Sequence, residues 1–155
     1  MTIYRATVLD TPDSPFTGGR LRAEDDCGIA VAAGAVVHSH GLSTVLAADL
    51  AVDAGADHIA IRDLEMLKGI PDVTNTDVHL VPVIQNTPRE RELVDQLDTV
   101  FADPRFAAAH AVLVRDHGAY IWGDDVMDAK RHTEVYHFLF EATVARRDRH
   151  REERP

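Results

Sequence analysis

The sequence of 155 residues carries 26 acidic and 16 basic side chains, a formal net charge of −10, and 45% of its residues are hydrophobic. This length and balance predict one globular domain that is large enough to build its own core. The excess of acidic charge argues against nucleic acid or an anionic membrane surface as the main partner, because both would repel the chain.

Cysteine content and hydropathy indicate a cytoplasmic protein. Cys27 is the single cysteine, so the chain cannot form an internal disulfide, which fits a reducing compartment. No stretch approaches the roughly 18 apolar residues of a membrane-spanning helix, and the polar start lacks the hydrophobic core of a signal peptide. We therefore expect a soluble protein of the cytoplasm.

The first part of the chain predicts short strands and turns. Residues 2–10 alternate loosely between apolar and polar side chains, as in a strand, and the prolines and glycines of residues 11–19 are typical of turns. The small apolar residues at 28–37 predict two short strands with a turn near Gly34.

Two histidines, His38 and His40, lie where this apolar run ends. In a strand the side chains at positions i and i+2 leave the same face, so both imidazoles can point toward one spot. Two neutral imidazoles that converge in this way could begin a site for zinc or a similar divalent ion. The alternative is that one histidine caps the next helix and the other is simply exposed.

A helix and a short strand are predicted after this histidine pair. Ser43 is suited to cap a helix that runs to Asp53, and Gly55 would end it in the left-handed conformation. The histidines would then lie between a strand and a helix, where α/β folds usually place ligands. Residues 58–61 predict a short strand that leads toward Glu65.

The next strand and helix have recognisable end signals. Residues 78–84 are rich in β-branched side chains and predict a strand, in which Pro82 argues for an edge position or a bulge. Thr87 and Glu90 have the spacing of a capping box around a first-turn proline, which predicts the start of another helix. Asp103, followed by a proline, is expected to end that helix.

A long helix is predicted after Asp125. Its apolar stripe consists of Met127, Val135, Phe138, Leu139 and Ala142. Tyr136 and Phe140 on the same helix fit either a surface for a partner or an ordinary core. The charged residues from 146 onward predict a frayed tail. Strands that alternate with helices along the chain predict an α/β layered domain.

A third histidine completes a candidate metal site. The apolar run at 111–114 predicts a buried strand that ends at a turn carrying His117, and Gly118 leaves room for close approach. Three histidines from two strand ends would give a tetrahedral metal three ligands and one open position, as in catalytic zinc sites. Glu65 lies between them in sequence and is a candidate general acid or base. The alternatives are a turn residue for His117 and a solvated carboxylate for Glu65.

Five sequence blocks follow one another along the chain: GAVVHSHG (34–41), DLEMLKGI (63–70), LVPVIQNTP (80–88), AVLVRDHGAYIWGDD (111–125) and DAKRHTEVYHFLFE (128–141). In this order they resemble the class II aldolase/adducin family, and within it the dehydratases of methylthioribulose 1-phosphate. General aldolases of the family share the H-x-H motif, whereas E-M-x-K-G, V-P-x-x-x-N-T and R-x-H-G-x-Y-x-W-G together are typical of the dehydratase branch.

The resemblance implies a fold and a division of the chain. The expected fold class is α/β, a class II aldolase-like layered domain with a central mixed or antiparallel sheet flanked by helices, shortened at its N-terminus. Residues 32–148 would form this domain, residues 1–31 a divergent β-rich segment and residues 149–155 a charged tail.

The resemblance also implies an activity and its residues. One Zn²⁺ ion per subunit would be held by His38, His40 and His117. Glu65 would be the group that takes and returns a proton. The implied enzyme removes water from 5-methylthioribulose 1-phosphate in methionine salvage, acts on this sugar-phosphate-like small molecule in the cytoplasm, and assembles as a homotetramer. The family's phosphate-binding segment and substrate-binding cysteine have no assignable counterpart, so the substrate-binding residues are left unassigned.

The sequence is also compatible with other functions. One is a related metal-dependent aldolase or lyase that acts on another small hydroxy-carbonyl substrate. Another is a non-catalytic, adducin-like interaction domain. The start of the chain, YRATVLDTP (4–12), is also faintly similar to the first strands of amidohydrolases, whose metal site likewise begins with an H-x-H motif.

Overall fold

The computed structural model of the protein describes residues 4–8 and 34–152. The strands within them are β1 (Tyr4–Val8), β2 (Ala35–Ser39), β3 (His58–Ile61), β4 (His79–Ile84), β5 (Ala111–Val114) and β6 (Gly118–Gly123). The helices are α1 (Leu42–Ala54), α2 (Val94–Ala102) and α3 (Val126–Glu152), with 3₁₀-helices at Glu65–Gly69, Glu90–Leu93 and Pro104–Phe106. The turns predicted at 11–19 and the apolar residues 28–33 lie outside the described residues.

The described strands form one six-stranded sheet in the order β1-β2-β6-β5-β4-β3. β4 and β5 run parallel, whereas the other neighbouring strands are antiparallel. α1 and α3 pack on one face of the sheet, and α2 packs on the opposite face. The expected α/β class, with a mixed sheet flanked by helices, is confirmed. None of the described helices is both long and apolar enough to cross a lipid bilayer.

The central strands are buried on both faces. Leu113 and Ile121 belong to the core layer beneath α1 and α3, together with Tyr136. Val112 on β5 and Leu97 on α2 belong to the layer on the opposite face. This alternation follows the two-residue period of a strand, so neighbouring residues of β5 enter different layers.

The pairing of β2 with β6 positions the candidate site. His38 on β2 lies opposite Tyr120 on β6. Because β6 begins directly after the turn that carries His117, the end of β2 lies beside that turn. Gly118 permits this approach, since a Cβ atom there would lie 2.1 Å from the backbone oxygen of Ser39. Two segments that are far apart in sequence therefore meet in the middle of the sheet.

Helix α3 buries part of the expected apolar stripe, since Val135 and Leu139 lie in the core, but its buried surface also includes side chains outside that stripe. Tyr136 and Phe140 are fully buried, so they belong to the core and do not form a partner surface. Met127 was expected in the apolar stripe but is 69% exposed, and Phe138 is 46% exposed. The frayed tail expected from residue 146 onward was also wrong through Glu152, because α3 continues to that residue.

Two of the predicted helix starts differ in the structure. α1 begins without a side-chain cap, so Ser43 does not have the predicted capping role, whereas Gly55 ends the helix with a φ of 64° as expected. The Thr87 hydroxyl donates to the backbone oxygen of Arg89 at 2.8 Å. A 3₁₀-helix at Glu90–Leu93 follows, and α2 begins only at Val94 with Leu93 at its N-cap position, so Thr87 is not the N-cap of α2.

Pro82 lies in an interior strand. β4 lies between β3 and β5, so the edge position that Pro82 suggested was wrong. In the pairing with β3, Pro82 lies opposite His58. The backbone hydrogen bond to β3 at this point is donated by the N–H of Val83 to the backbone oxygen of Asp57, at 2.9 Å. On the other side, pairing with β5 begins only at Val83. The missing N–H of proline thus removes no bond from either described ladder.

Candidate metal centre

Three imidazoles gather where β2 ends and β6 begins. His38, His40 and His117 each offer a ring nitrogen, and these atoms all lie within 4.8 Å of one another. Within the described part of the chain this is the only group of three or more histidine, cysteine or carboxylate side chains so close together. The ring centres of His38, on β2, and His40, the first residue after β2, are 4.4 Å apart.

The turn between β5 and β6 delivers His117 to this point. The backbone N–H of His117 donates to the backbone oxygen of Val114 at 3.3 Å, which closes the turn. Asp116 adopts the left-handed conformation with a φ of 53°. Aspartate is among the few residues other than glycine that enter this region readily, so the sequence of the turn suits its shape.

His38 is held by packing. It is 7% exposed and stacks on the ring of Tyr120, with centres 4.2 Å apart and an interplanar angle of 22°. Its Nε2 atom lies 3.0 Å from Nε2 of His117. His40 is exposed, so the group of three imidazoles can be reached from solvent.

The spacing of these nitrogens suits a shared divalent ion. Two imidazole ligands of a tetrahedral zinc ion, each about 2.0–2.1 Å from the metal, lie about 3.3 Å from each other. The observed 3.0 Å between Nε2 of His38 and Nε2 of His117 differs from this by a few tenths of an ångström. Neutral imidazole is also one of the ligands that suit zinc. The three-imidazole ligand set and the spacing of the His38–His117 pair therefore fit a shared metal, and the His40 nitrogen lies within 4.8 Å of both.

Glu65 lies outside this group of close ligand atoms. It begins the 3₁₀-helix Glu65–Gly69, and its side chain is 72% exposed. Its carboxylate accepts a hydrogen bond from Lys68 Nζ at 2.6 Å, one helical turn further on. The structure thus brings the three predicted histidines together and places the predicted proton-transfer residue in an exposed ion pair.

Asn86 contacts the site, although its individual role was not predicted from the sequence. Its Oδ1 atom lies 3.3 Å from Nδ1 of His117. Asn86 could have been predicted from the strand topology. β4 and β5 are parallel neighbours, so the polar residues that follow each strand lie at the same edge of the sheet. Recognising this requires the strand order, which the sequence pattern alone does not provide.

A second unpredicted contact supports the site from the other face of the sheet. Ser39 lies between the two histidines of the H-x-H motif, is fully buried and hydrogen-bonds with Nε2 of His137 on α3. The His137 side chain is half-buried, and burial lowers its pKa, an effect that the nearby Glu141 carboxylate partly opposes. The strand end that carries the two imidazoles is therefore anchored to the long helix.

Comparisons with known proteins agree with this fold and site. A family model described as the class II aldolase and adducin N-terminal domain matches residues 30–144. A "probable bifunctional methylthioribulose-1-phosphate dehydratase/enolase-phosphatase E1" of Oryza sativa subsp. indica is 46% identical over 112 residues, and its namesake in Arabidopsis thaliana is 45% identical over 112 residues. Each alignment covers 72% of this chain and 21% of the relative, so the chain spans about one fifth of their length.

Solved structures show the same architecture at lower identity. The YgbL protein of Escherichia coli is 18% identical with a TM-score of 0.51, covering 71% of this chain and 47% of that chain. YgbL of Klebsiella pneumoniae is 23% identical with a TM-score of 0.51, covering 72% of this chain and 48% of that chain. These likenesses concern the fold alone.

Proposed function

This chain belongs to the class II aldolase and adducin family, and from that premise we propose that it is a zinc-dependent lyase that removes water from 5-methylthioribulose 1-phosphate in methionine salvage. The observation that carries the proposal is the convergence of His38, His40 and His117. The choice of substrate is supported by the 46% identity to the rice relative, whose name includes methylthioribulose-1-phosphate dehydratase.

The three imidazoles would hold the metal ion. His38 is fixed against Tyr120 and His117 is contacted by Asn86, so both rings are oriented by neighbouring side chains. Exposed His40 leaves the group open to a small molecule from solvent. When bound, a divalent ion supplies a Lewis acid that polarises a substrate carbonyl and makes the neighbouring C–H more acidic.

Glu65 would carry the proton. Dehydration of a ketose phosphate breaks a C–H bond beside the carbonyl and a C–O bond at the next carbon. One carboxylate can accept the carbon proton and then return it to the departing hydroxyl, which leaves as water, so that the atoms balance. Lys68 pairs with this carboxylate at 2.6 Å and holds it at the start of its 3₁₀-helix.

The proposal includes assembly as a homo-oligomer in the cytoplasm. Apolar side chains that the single chain leaves exposed would be available for contacts between subunits. They include Leu42 (75% exposed), Met127 (69%) and Phe138 (46%). Sedimentation of the purified protein would test this part separately from the chemistry.

Metal analysis and product analysis together test the activity. We expect about one zinc ion per chain after purification with zinc, and conversion of 5-methylthioribulose 1-phosphate to a diketone phosphate. A related aldolase would instead release two carbon fragments. A folded chain that binds no divalent ion would contradict the proposal and favour an interaction domain of the adducin kind.

A further inference from the structure

The side-chain amide of Asn86 has a defined orientation. Its Oδ1 atom lies 2.9 Å from the backbone nitrogen of Thr87 and 3.3 Å from Nδ1 of His117. A backbone N–H can only donate a hydrogen bond, so the amide atom that faces Thr87 must be the oxygen. The contact with Thr87 therefore excludes the flipped amide, in which a nitrogen would face His117.

This orientation determines which nitrogen of His117 carries the proton. An amide oxygen can only accept, so its hydrogen bond with Nδ1 requires a proton on Nδ1. A neutral imidazole has one N–H, which leaves the lone pair on Nε2. Nε2 is also the atom that lies 3.0 Å from Nε2 of His38 within the histidine group.

We propose that Asn86 is a positioning residue that holds His117 in the Nδ1–H tautomer and thereby presents Nε2 to a divalent cation. The role of the cation rests on the proposed function, whereas the tautomer belongs to the metal-free protein. Ligand histidines in proteins commonly donate their other N–H to an oxygen acceptor, which fixes the ring. Here the acceptor is an uncharged amide, so it orients the ring without adding negative charge beside the metal.

Neighbouring side chains hold the loop that presents Asn86. The backbone N–H of Gln85 donates to Oε1 of Gln96 at 2.9 Å, and Nε2 of Gln96 donates to the backbone oxygen of Gln85 at 3.1 Å. The side chain of Gln85 accepts a hydrogen bond from Arg115 at 2.8 Å. The residue before Asn86 is therefore tied both to α2 and to the turn that carries His117.

Nitrogen NMR of the histidine rings in the metal-free protein, at a pH where imidazoles are neutral, tests the proposal directly. We expect the shifts of His117 to report Nδ1–H in the wild type. Asn86→Asp keeps an oxygen acceptor and should retain this tautomer, whereas Asn86→Ala should move His117 toward the Nε2–H form that free histidine favours.

Zinc titration gives a second readout that does not depend on activity. We expect Asn86→Ala to weaken zinc binding by about 10–100-fold and Asn86→Asp to restore it. Gln85→Ala is the matched control, because it removes only the side-chain bond to Arg115, while both backbone bonds of residue 85 to Gln96 still hold the loop and Asn86 still contacts His117. Its zinc affinity should stay close to that of the wild type.

Two results would overturn the role of Asn86. One is a wild-type His117 in the Nε2–H form, which needs no variant to observe. The other is equal loss of zinc affinity in Gln85→Ala and Asn86→Ala, which would assign the effect to the loop as a whole. A wild type that binds no divalent ion would count against the proposed function, whereas the metal-free spectra would still decide the tautomer.

Discussion

Ser39 Oγ lies 2.7 Å from Nε2 of His137, which ties the residue between the candidate ligands His38 and His40 to helix α3. Strand side chains alternate between faces, so Ser39 projects toward α3 while His38 projects toward the other face. The hydrogen bond to α3 therefore fixes the end of β2 from the face of the sheet opposite to the His38 imidazole. Supporting hydrogen bonds of this kind keep the ligands of a site within a few tenths of an ångström of the geometry that binding requires.

Removing this anchor should loosen the histidine group. We expect Ser39→Ala to lower the free energy of unfolding by about 1 kcal/mol, because a buried hydrogen bond is lost. Zinc affinity should fall on the order of tenfold, since the strand end is less well fixed. Urea unfolding and zinc titration measure the two effects. Thr143→Ala is a suitable control, because it removes a hydroxyl on α3 that bonds only within the helix, to the backbone of Leu139. Undiminished zinc affinity in Ser39→Ala would refute the anchoring role.

Gly41 should be intolerant of a side chain for a steric reason. A Cβ atom there would lie 2.4 Å from Cε1 of His137, although the backbone φ of −72° suits any residue. We expect Gly41→Ala to displace the His137 ring, to cost about 1–3 kcal/mol of stability and to weaken zinc binding. Gly55→Ala provides the contrast, since its φ of 64° costs about 1–2 kcal/mol while no atom lies near the new Cβ. Its zinc affinity should be unchanged. Equal zinc affinity in both variants would contradict the steric argument.

Glu65→Gln separates proton transfer from metal binding. We expect zinc content to remain at the wild-type level and turnover to fall by about 10²–10⁴-fold, because glutamine cannot accept the carbon proton. Glu134→Gln is a matched control, because both glutamates are exposed and each forms an ion pair with a nearby lysine. Glu134 is 68% exposed and pairs with Lys130 at 2.7 Å, whereas Glu65 is 72% exposed and pairs with Lys68 at 2.6 Å. Turnover of the control should not change. Full turnover in Glu65→Gln would falsify the role assigned to this carboxylate.

Buried histidines should make the fold sensitive to acid. His79 is 3% exposed and its Nε2 lies 2.9 Å from the hydroxyl of Tyr136, which also accepts a hydrogen bond from the backbone N–H of His110. Burial lowers the pKa of His79 to about 4, with a smaller effect from His110. Burial raises the pKa of Tyr136, so its hydroxyl remains protonated and can donate to His79.

The sign of the effect follows from these pKa values. The folded state resists protonation of His79, whereas the unfolded chain takes up the proton near pH 6.5. Stability is therefore complete above about pH 6.5 and is lost as the pH falls toward about 4, by roughly 3 kcal/mol from this residue. Urea unfolding between pH 7.5 and 4.5 measures the loss, and His79→Leu should flatten the slope. An unchanged slope in that variant would assign the acid sensitivity to other groups.

The histidine group could be predicted from the sequence because it depends on local patterns, namely the strand period and the ends of apolar runs. The two-residue period of a strand brings His38 and His40 to one face, and the apolar run at 111–114 predicts another strand that ends just before His117. The bounds of β3 and β5 also follow directly from short β-branched runs. What the pattern could not supply was the strand order, which brings β6 next to β2 and the loop of Asn86 next to His117.

The faces of α3 were harder to predict, for a related reason. The helix packs against both α1 and the sheet, so its buried surface is wider than one apolar stripe. Tyr136 and Phe140 fill the space between these elements, while Met127, near the start of the helix, lies beyond the covered surface. A helical period identifies an apolar stripe but does not say which neighbouring elements will cover it.

The separation of the three histidines along the chain has a kinetic consequence. His38 and His117 are 79 residues apart, and they meet only after β2 has paired with β6. Closing so long a loop is entropically costly, and such non-local strand pairing is slow in folding. The histidine group should therefore assemble late, after the hairpin of β5 and β6 has formed from nearby residues. An ion added during refolding would then stabilise a completed sheet and slow its unfolding, while the rate of folding would stay nearly constant.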